Sequence, residues 1–177
     1  MRLPSRYLFL WRSFDWLILI LVLVLTAISL AAIYSVDLSR GADLIFFHTQ
    51  LLALSVGLVL FFSAGFFHAS FYRASAKLVY LLSLLLLVAV LFFGDTIRGT
   101  TGWFRLGSFS FQPAEFAKVG LVIFLAWWIS IQARRFDRWQ FLLTSGFFML
   151  LPIGLIMFQP DLGSAMVLFS VCFGLLF

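Results

Sequence analysis

In a chain of 177 residues that is 64% hydrophobic and 11% charged, groups able to move a proton or hold a phosphate are scarce, and several recur in one pattern. "FQPAEFAK" occupies residues 111–118 and "FQPDLG" residues 158–163. Proline is tolerated in the first helical turn, where its missing N–H would be unpaired anyway, so each Gln-Pro reads as a helix start with Glu115 and Asp161 in the first turn. Free N–H groups and the positive end of the helix dipole favour a carboxylate there by ~0.3–1 kcal/mol, which is one account of both acids. A second account is chemical. Lys118 follows Glu115 by three residues, on the same helix face, and ionisable side chains inside a membrane span face a bundle interior or a wet cavity. Glu115 and Lys118 therefore either line an outward-open cavity or form a structural ion pair. Pro152, Gly154, Pro160 and Gly163 interrupt the second motif region. Non-helical backbone at membrane depth is tolerated only where it is buried in protein or lines water, so Asp161 is expected beside such a cavity.

The elements that must position these groups follow from composition, which lies far from the roughly 45–50% apolar and 25% charged of a soluble domain. Apolar runs long enough for about 30 Å of hydrocarbon predict an all-α polytopic membrane fold. The spans fall over residues 16–34, 44–67, 74–93, 113–131, 139–158 and 160–177, giving five to six membrane helices. The last run reaches Phe177 without a closing Lys, Arg, Trp or polar tail, so a helix cut short is expected there. Arg2, Arg6, Arg12, Arg73, Lys77, Arg134, Arg135 and Arg138 fall on one side against Arg40, Arg98 and Arg105 on the other, which by the positive-inside rule puts the amino terminus in the cytoplasm. The first apolar stretch exceeds a signal-peptide core and is expected to be retained. The one long outward loop is then 94–112. Within it "WFRL" and "FSF" flank Gly107-Ser108, the chemistry of a two-residue hairpin turn. Trp103 is an interfacial anchor or part of a site. Arg98 and Arg105 are either solvated or meet lipid phosphates through their planar forks.

Other residues point nowhere in particular. Cys172 is a single cysteine in an apolar run. His48 and His68 lack a second ligand at metal spacing. The net charge of +5 is spread over span ends rather than gathered in a basic patch, so nucleic acid is not an expected partner.

The segments "GWFRLGSFSFQPAEFAK" and "QPDLGSA" resemble the SEDS family, the RodA/FtsW/SpoVE proteins of bacterial cell-wall synthesis. The resemblance rests on Trp103 to Gly107, Phe111 to Lys118 and Gln159 to Gly163, in order and between the expected spans. It covers essentially the whole chain but about the first half of a family fold of some ten transmembrane helices. It implies a multi-pass protein of the bacterial cytoplasmic membrane that polymerises lipid II into glycan strands at the outer face, serving elongation and shape or division, with a class B penicillin-binding transpeptidase as partner. Glu115, Lys118 and Asp161 match family positions associated with the central cavity. Trp103 and Gln159 are further expected substrate contacts, and Arg98 and Arg105, which no family position supplies, are candidates for the phosphates from their own chemistry. The chemistry agrees: a sugar hydroxyl attacks an anomeric carbon as a lipid pyrophosphate leaves, which asks for a base, cations at the phosphates and a cavity open to lipid. A divalent cation on the pyrophosphate is compatible with this, although no ligand cluster demands one.

Two departures matter. Many family members carry Arg immediately before the Trp, where this chain has Gly102. The aspartate usually proposed as the family's base lies in a later outward loop, beyond residue 177, which leaves Asp161 as the fallback catalytic residue and predicts that this chain alone is inactive. Rival readings are a transporter (flippase) of the lipid-linked precursor, since broken helices with carboxylates also build transport sites, and a non-catalytic scaffold for a partner synthase.

Overall fold

The computed structural model describes residues 15–41, 44–97, 99–106, 109–132 and 137–176. Among the described residues six helices and three strands follow in the order α1 (Trp16–Ser39), α2 (Ile45–Phe66), α3 (Ala69–Phe93), β1 (Asp95–Ile97), β2 (Thr100–Leu106), β3 (Phe109–Phe111), α4 (Pro113–Gln132), α5 (Arg138–Met157) and α6 (Leu162–Leu176). Five of them, α1 to α5, are long and apolar enough to cross a membrane, and α6 is a shorter apolar helix. The helices outrun their apolar cores in two places: α1 continues past Tyr34, and α3 begins at Ala69 so that Arg73 and Lys77 stand in its first turns. Apolarity tracks the hydrocarbon, whereas the i→i−4 hydrogen bonds that define a helix persist beyond it.

The chain forms two compact units, Met1–Phe66 and Phe67–Phe177. In the first, Asp15 caps α1 by accepting from the Ile18 amide at 3.3 Å. At the other end Asp37, fully buried, accepts from the Phe47 amide at 2.9 Å, so the end of α1 supplies an acceptor to one of the orphan donors that begin α2. The Tyr34 ring meets Phe47 edge-on at 5.4 Å. Most other side chains of these two helices are exposed and apolar.

In the second unit α3, α4, α5 and α6 share a core that includes Leu87, Ala117, Leu121, Leu125, Ile156 and Leu168. A small residue lets α3 and α4 approach: a Cβ at Gly120 would lie 3.0 Å from the Ser83 hydroxyl, the close contact that glycine permits between membrane helices. Pro152 does not break α5, which runs through it to Met157. Proline removes the donor for the carbonyl four residues earlier, that of Phe148, and the Tyr80 hydroxyl of α3 donates to this carbonyl at 2.8 Å. A neighbouring helix thus satisfies the group that proline frees, and the expected interruption shrinks to residues 158–161.

Between α3 and α4 the chain builds a three-stranded antiparallel sheet, in the order β1-β2-β3. Leu106 pairs with Phe109 and Phe104 with Phe111, a register that leaves two residues for the connection; Gly107 and Ser108 themselves lie outside the described residues. Gly94 follows the last residue of α3, and only glycine fits there, since a Cβ would collide with the Val90 carbonyl and come within 3.0 Å of the Thr101 carbonyl.

Candidate functional site

The two Phe-Gln-Pro segments meet in space. Pro113 is the first residue of α4, as its sequence position predicts, and the Gln112 side chain before it donates through Nε2 to Asp161 Oδ2 at 2.9 Å. The second segment differs from the expectation. Pro160 belongs to the turn at 158–160 and α6 begins only at Leu162, so Asp161 is the residue before the helix and not part of its first turn. Its Oδ1 accepts from the Ser164 amide at 3.0 Å, the geometry of an N-cap, which satisfies one of the orphan donors at the start of α6. One carboxylate therefore caps α6 and ties it to the start of α4.

Beside this joint lies an open chamber of about 600 Å³ lined by Trp103 and Ser110 of the sheet, Gln112 just before α4, Lys118 of α4, and Asp161 and Ser164 at the α6 start, among others. Lys118 Nζ holds Glu115 Oε1 at 2.7 Å, with Lys118 23% and Glu115 60% exposed. So exposed a pair contributes little to stability; its effect is to set the direction of the ammonium. Trp103 and Arg105, two residues apart, share a face of β2, and the exposed Arg105 pairs with Ser110; Trp103 and Ser110 line the chamber, whereas Arg105 is not itself in its wall. Arg98 lies outside the described residues.

Gln159 is placed elsewhere. It is fully buried, its Nε2 donates to the Leu87 carbonyl at 3.3 Å, and its Oε1 lies 3.0 Å from the point where a Cβ on Gly102 would stand. It joins the turn before α6 to α3 and fills the room beside Gly102, so a larger residue at 102 would have to displace it. Gln159, expected from sequence among the substrate contacts, is here enclosed in the joint between α3 and the turn before α6. Gln112, Ser110 and Ser164 were not singled out from sequence, although the repeat of Gln before Pro was the signal for Gln112.

Among the described residues no three His, Cys, Asp or Glu side chains come together as a metal site. Asp161 is the one carboxylate among the described residues of the chamber wall.

The family model described as "Cell cycle protein", FtsW/RodA/SpoVE, matches residues 11–177. The chain belongs to this family. It is 30% identical over 157 residues to the peptidoglycan glycosyltransferase RodA of Treponema pallidum, an alignment covering 88% of this chain and 36% of that protein. It is 36% identical over 172 residues to the probable peptidoglycan glycosyltransferase FtsW of Haemophilus influenzae, covering 94% of this chain and 43% of that one. The chain thus spans less than half the length of these curated FtsW/RodA relatives. A crystal structure of a mutant of the Thermus thermophilus rod shape determining protein RodA superposes with a TM-score of 0.77 at 34% identity, covering 92% of this chain and 54% of that one. A chain from work on polymerization and crosslinking by a peptidoglycan synthase complex superposes with a TM-score of 0.71 at 34% identity, covering 91% of this chain and 46% of that one. With its apolar helices and this kinship, the FtsW/RodA/SpoVE chain is part of a multi-pass protein of the bacterial inner membrane.

Proposed function

We propose that the protein carrying this chain is a peptidoglycan glycosyltransferase that polymerises lipid II at the outer face of the cytoplasmic membrane. The observation that carries the proposal is the chamber at the starts of α4 and α6, where Lys118, Asp161 and Trp103 converge in a chain related to named peptidoglycan glycosyltransferases. In the reaction the hydroxyl oxygen of one sugar bonds to the anomeric carbon of another, the bond from that carbon to the pyrophosphate breaks, and the pyrophosphate departs on its lipid. Lys118 and Arg105 supply positive charge for the departing phosphates. Glu115 holds the Lys118 ammonium in place. Asp161 accepts from Gln112 and Ser164 and offers its remaining lone pairs to a substrate hydroxyl; as a base it shares the task with residues outside this chain. Ser110, Ser164 and Trp103 offer hydroxyls and a ring face to sugars. A class B penicillin-binding transpeptidase is the expected partner, a reading favoured by the relative from a peptidoglycan synthase complex. The arginine and lysine distribution favours an amino terminus in the cytoplasm.

The position of the polar groups favours this reading over a flippase. Asp161 precedes α6 and Glu115 lies in the first turn of α4, so the chamber opens at helix ends, whereas transport sites gather near the midplane. The test is polymerisation of labelled lipid II in liposomes by the full-length protein, by its Lys118→Gln and Asp161→Asn variants, and by residues 1–177. Long strands from the full-length protein, at least about tenfold fewer from Lys118→Gln and none from the short chain are expected. No strands from the full-length protein, with the transpeptidase present, would overturn the proposal and favour transport or scaffolding.

A further inference from the structure

Two walls of the chamber share one contact behind it. Gly102 and Trp103 are neighbours on β2, so they face opposite sides of the sheet. Trp103 lines the chamber, whereas Gly102 is buried against Gln159, whose Oε1 lies 3.0 Å from the place a Cβ would take. Gln159 in turn stands two residues before Asp161, which lines the chamber from the α6 side. Its backbone N–H donates to the Ile156 carbonyl at 3.0 Å and its Nε2 to the Leu87 carbonyl at 3.3 Å, and Ile156 and Leu87 are fully buried members of the core. Sheet and turn thus rest on one side chain that is anchored twice in the bundle. Volume alone does not account for a glutamine here. Its Oε1 is buried without a hydrogen-bond donor among the described residues, which is destabilising, and an apolar side chain of the same size would fill the space without that cost.

We infer that Gln159 is a positioning residue: it sets the separation between the sheet wall, with Trp103 and Ser110, and the α6 wall, with Asp161 and Ser164. The inference rests on the glycosyltransferase reading above. The bond to Leu87 fixes the amide plane, which gives Oε1 one direction, towards Gly102. Glycine leaves no side chain between that oxygen and the β2 backbone, so the sheet approaches as far as the amide allows, and in a close-packed interior a shift of one passes to the other. On the far side only Pro160 separates Gln159 from Asp161, whose carboxylate is held by Gln112 and Ser164. A misplacement of about 1 Å at a reacting centre costs about 10²-fold in rate, so this seat acts on turnover through Trp103 and Asp161 without touching substrate.

The experiment is a double-mutant cycle in the full-length protein, with two readouts. One is lipid II polymerisation at saturating substrate, normalised to folded protein. The other is EPR dipolar broadening between nitroxides at Ser110→Cys and Ser164→Cys, with the other cysteines replaced. Gly102→Ala sets a methyl group against the amide: kcat should fall at least about tenfold with KM little changed, and the labels should move apart. Gln159→Ala also lowers kcat, because the seat is lost, but it removes the obstacle, so adding Gly102→Ala to it should cost about twofold or less. Additive losses, or an unchanged separation in Gly102→Ala, would overturn the inference. Gln159→Glu tests the anchor with no change at residue 102. Protonated, it donates to the Leu87 carbonyl; ionised, it has no proton to donate and sets a negative charge against that carbonyl. Its kcat relative to the unsubstituted protein should therefore rise as pH falls, and a ratio flat with pH would overturn the inference. A lower melting temperature with kcat per folded protein intact would make Gln159 a packing residue only, with the same consequence. The two claims separate cleanly. Normal strands from Gly102→Ala would overturn the seat alone, whereas a shifted label separation in a full-length protein that makes no strands even when unsubstituted would overturn the glycosyltransferase reading.

Discussion

Asp161 and Gln112 form a pair whose partners are separated by 48 residues of chain, which makes it sensitive to single changes and open to repair. Gln112→Ala leaves a partly buried carboxylate oxygen without its donor, a loss of about 1–3 kcal/mol, and a lower melting temperature in detergent is the expected result. Gln112→Glu sets two carboxylates against each other and should be worse. Adding Asp161→Asn to Gln112→Glu turns the bond around, with an amide donor at 161 and an acceptor at 112, and should recover most of the stability; no recovery would mean the 2.9 Å contact contributes nothing. Lys118→Gln, by contrast, is expected to shift stability by no more than about 1 kcal/mol, since its partner is exposed and such pairs are weak. A large fall in melting temperature would show that the lysine supports the fold.

Helix by helix, the joint between α3 and α5 tests how the bundle tolerates proline. Tyr80→Phe removes the donor to the Phe148 carbonyl and should cost about 1 kcal/mol, in the range of hydrogen bonds between membrane helices. In a Pro152→Ala background residue 152 regains an N–H for that carbonyl, so Tyr80→Phe should then cost less. A double-mutant cycle measures the difference, and strict additivity would refute the compensation. Where α3 crosses α4, Gly120→Leu drives a side chain into Ser83 and should part the two helices, with loss of folded protein on size-exclusion chromatography.

At the scale of the whole molecule the sheet and the connection between α4 and α5 should lie on opposite sides of the membrane, because α4 is one crossing. With Cys172→Ser as background, a membrane-impermeant maleimide applied to spheroplasts should label Thr96→Cys in β1 and leave Asp137→Cys unlabelled until the membrane is opened. The reverse pattern would invert the orientation and place the chamber in the cytoplasm, contrary to lipid II polymerisation outside.

The number and order of the apolar helices, the family motifs and the helix start at Pro113 were all legible in the sequence. The reason is physical: hydrocarbon selects uninterrupted apolar runs, and proline marks a helix start locally. Local pattern misjudged Pro152, because the group that rescues it, the Tyr80 hydroxyl, arrives from another helix. It also set Asp161 in a first turn, although the backbone uses it as the cap before α6. Gln159 and Gln112 occupy the same place in the same tripeptide, yet one is walled in between Leu87 and Gly102 and the other reaches the chamber. Sequence by itself determined which residues carry charge or hydrogen-bonding groups in an otherwise apolar chain. Tertiary structure alone decided which of them meet, because the partners of a side chain depend on the register of helices far apart in the chain, and no periodicity encodes that.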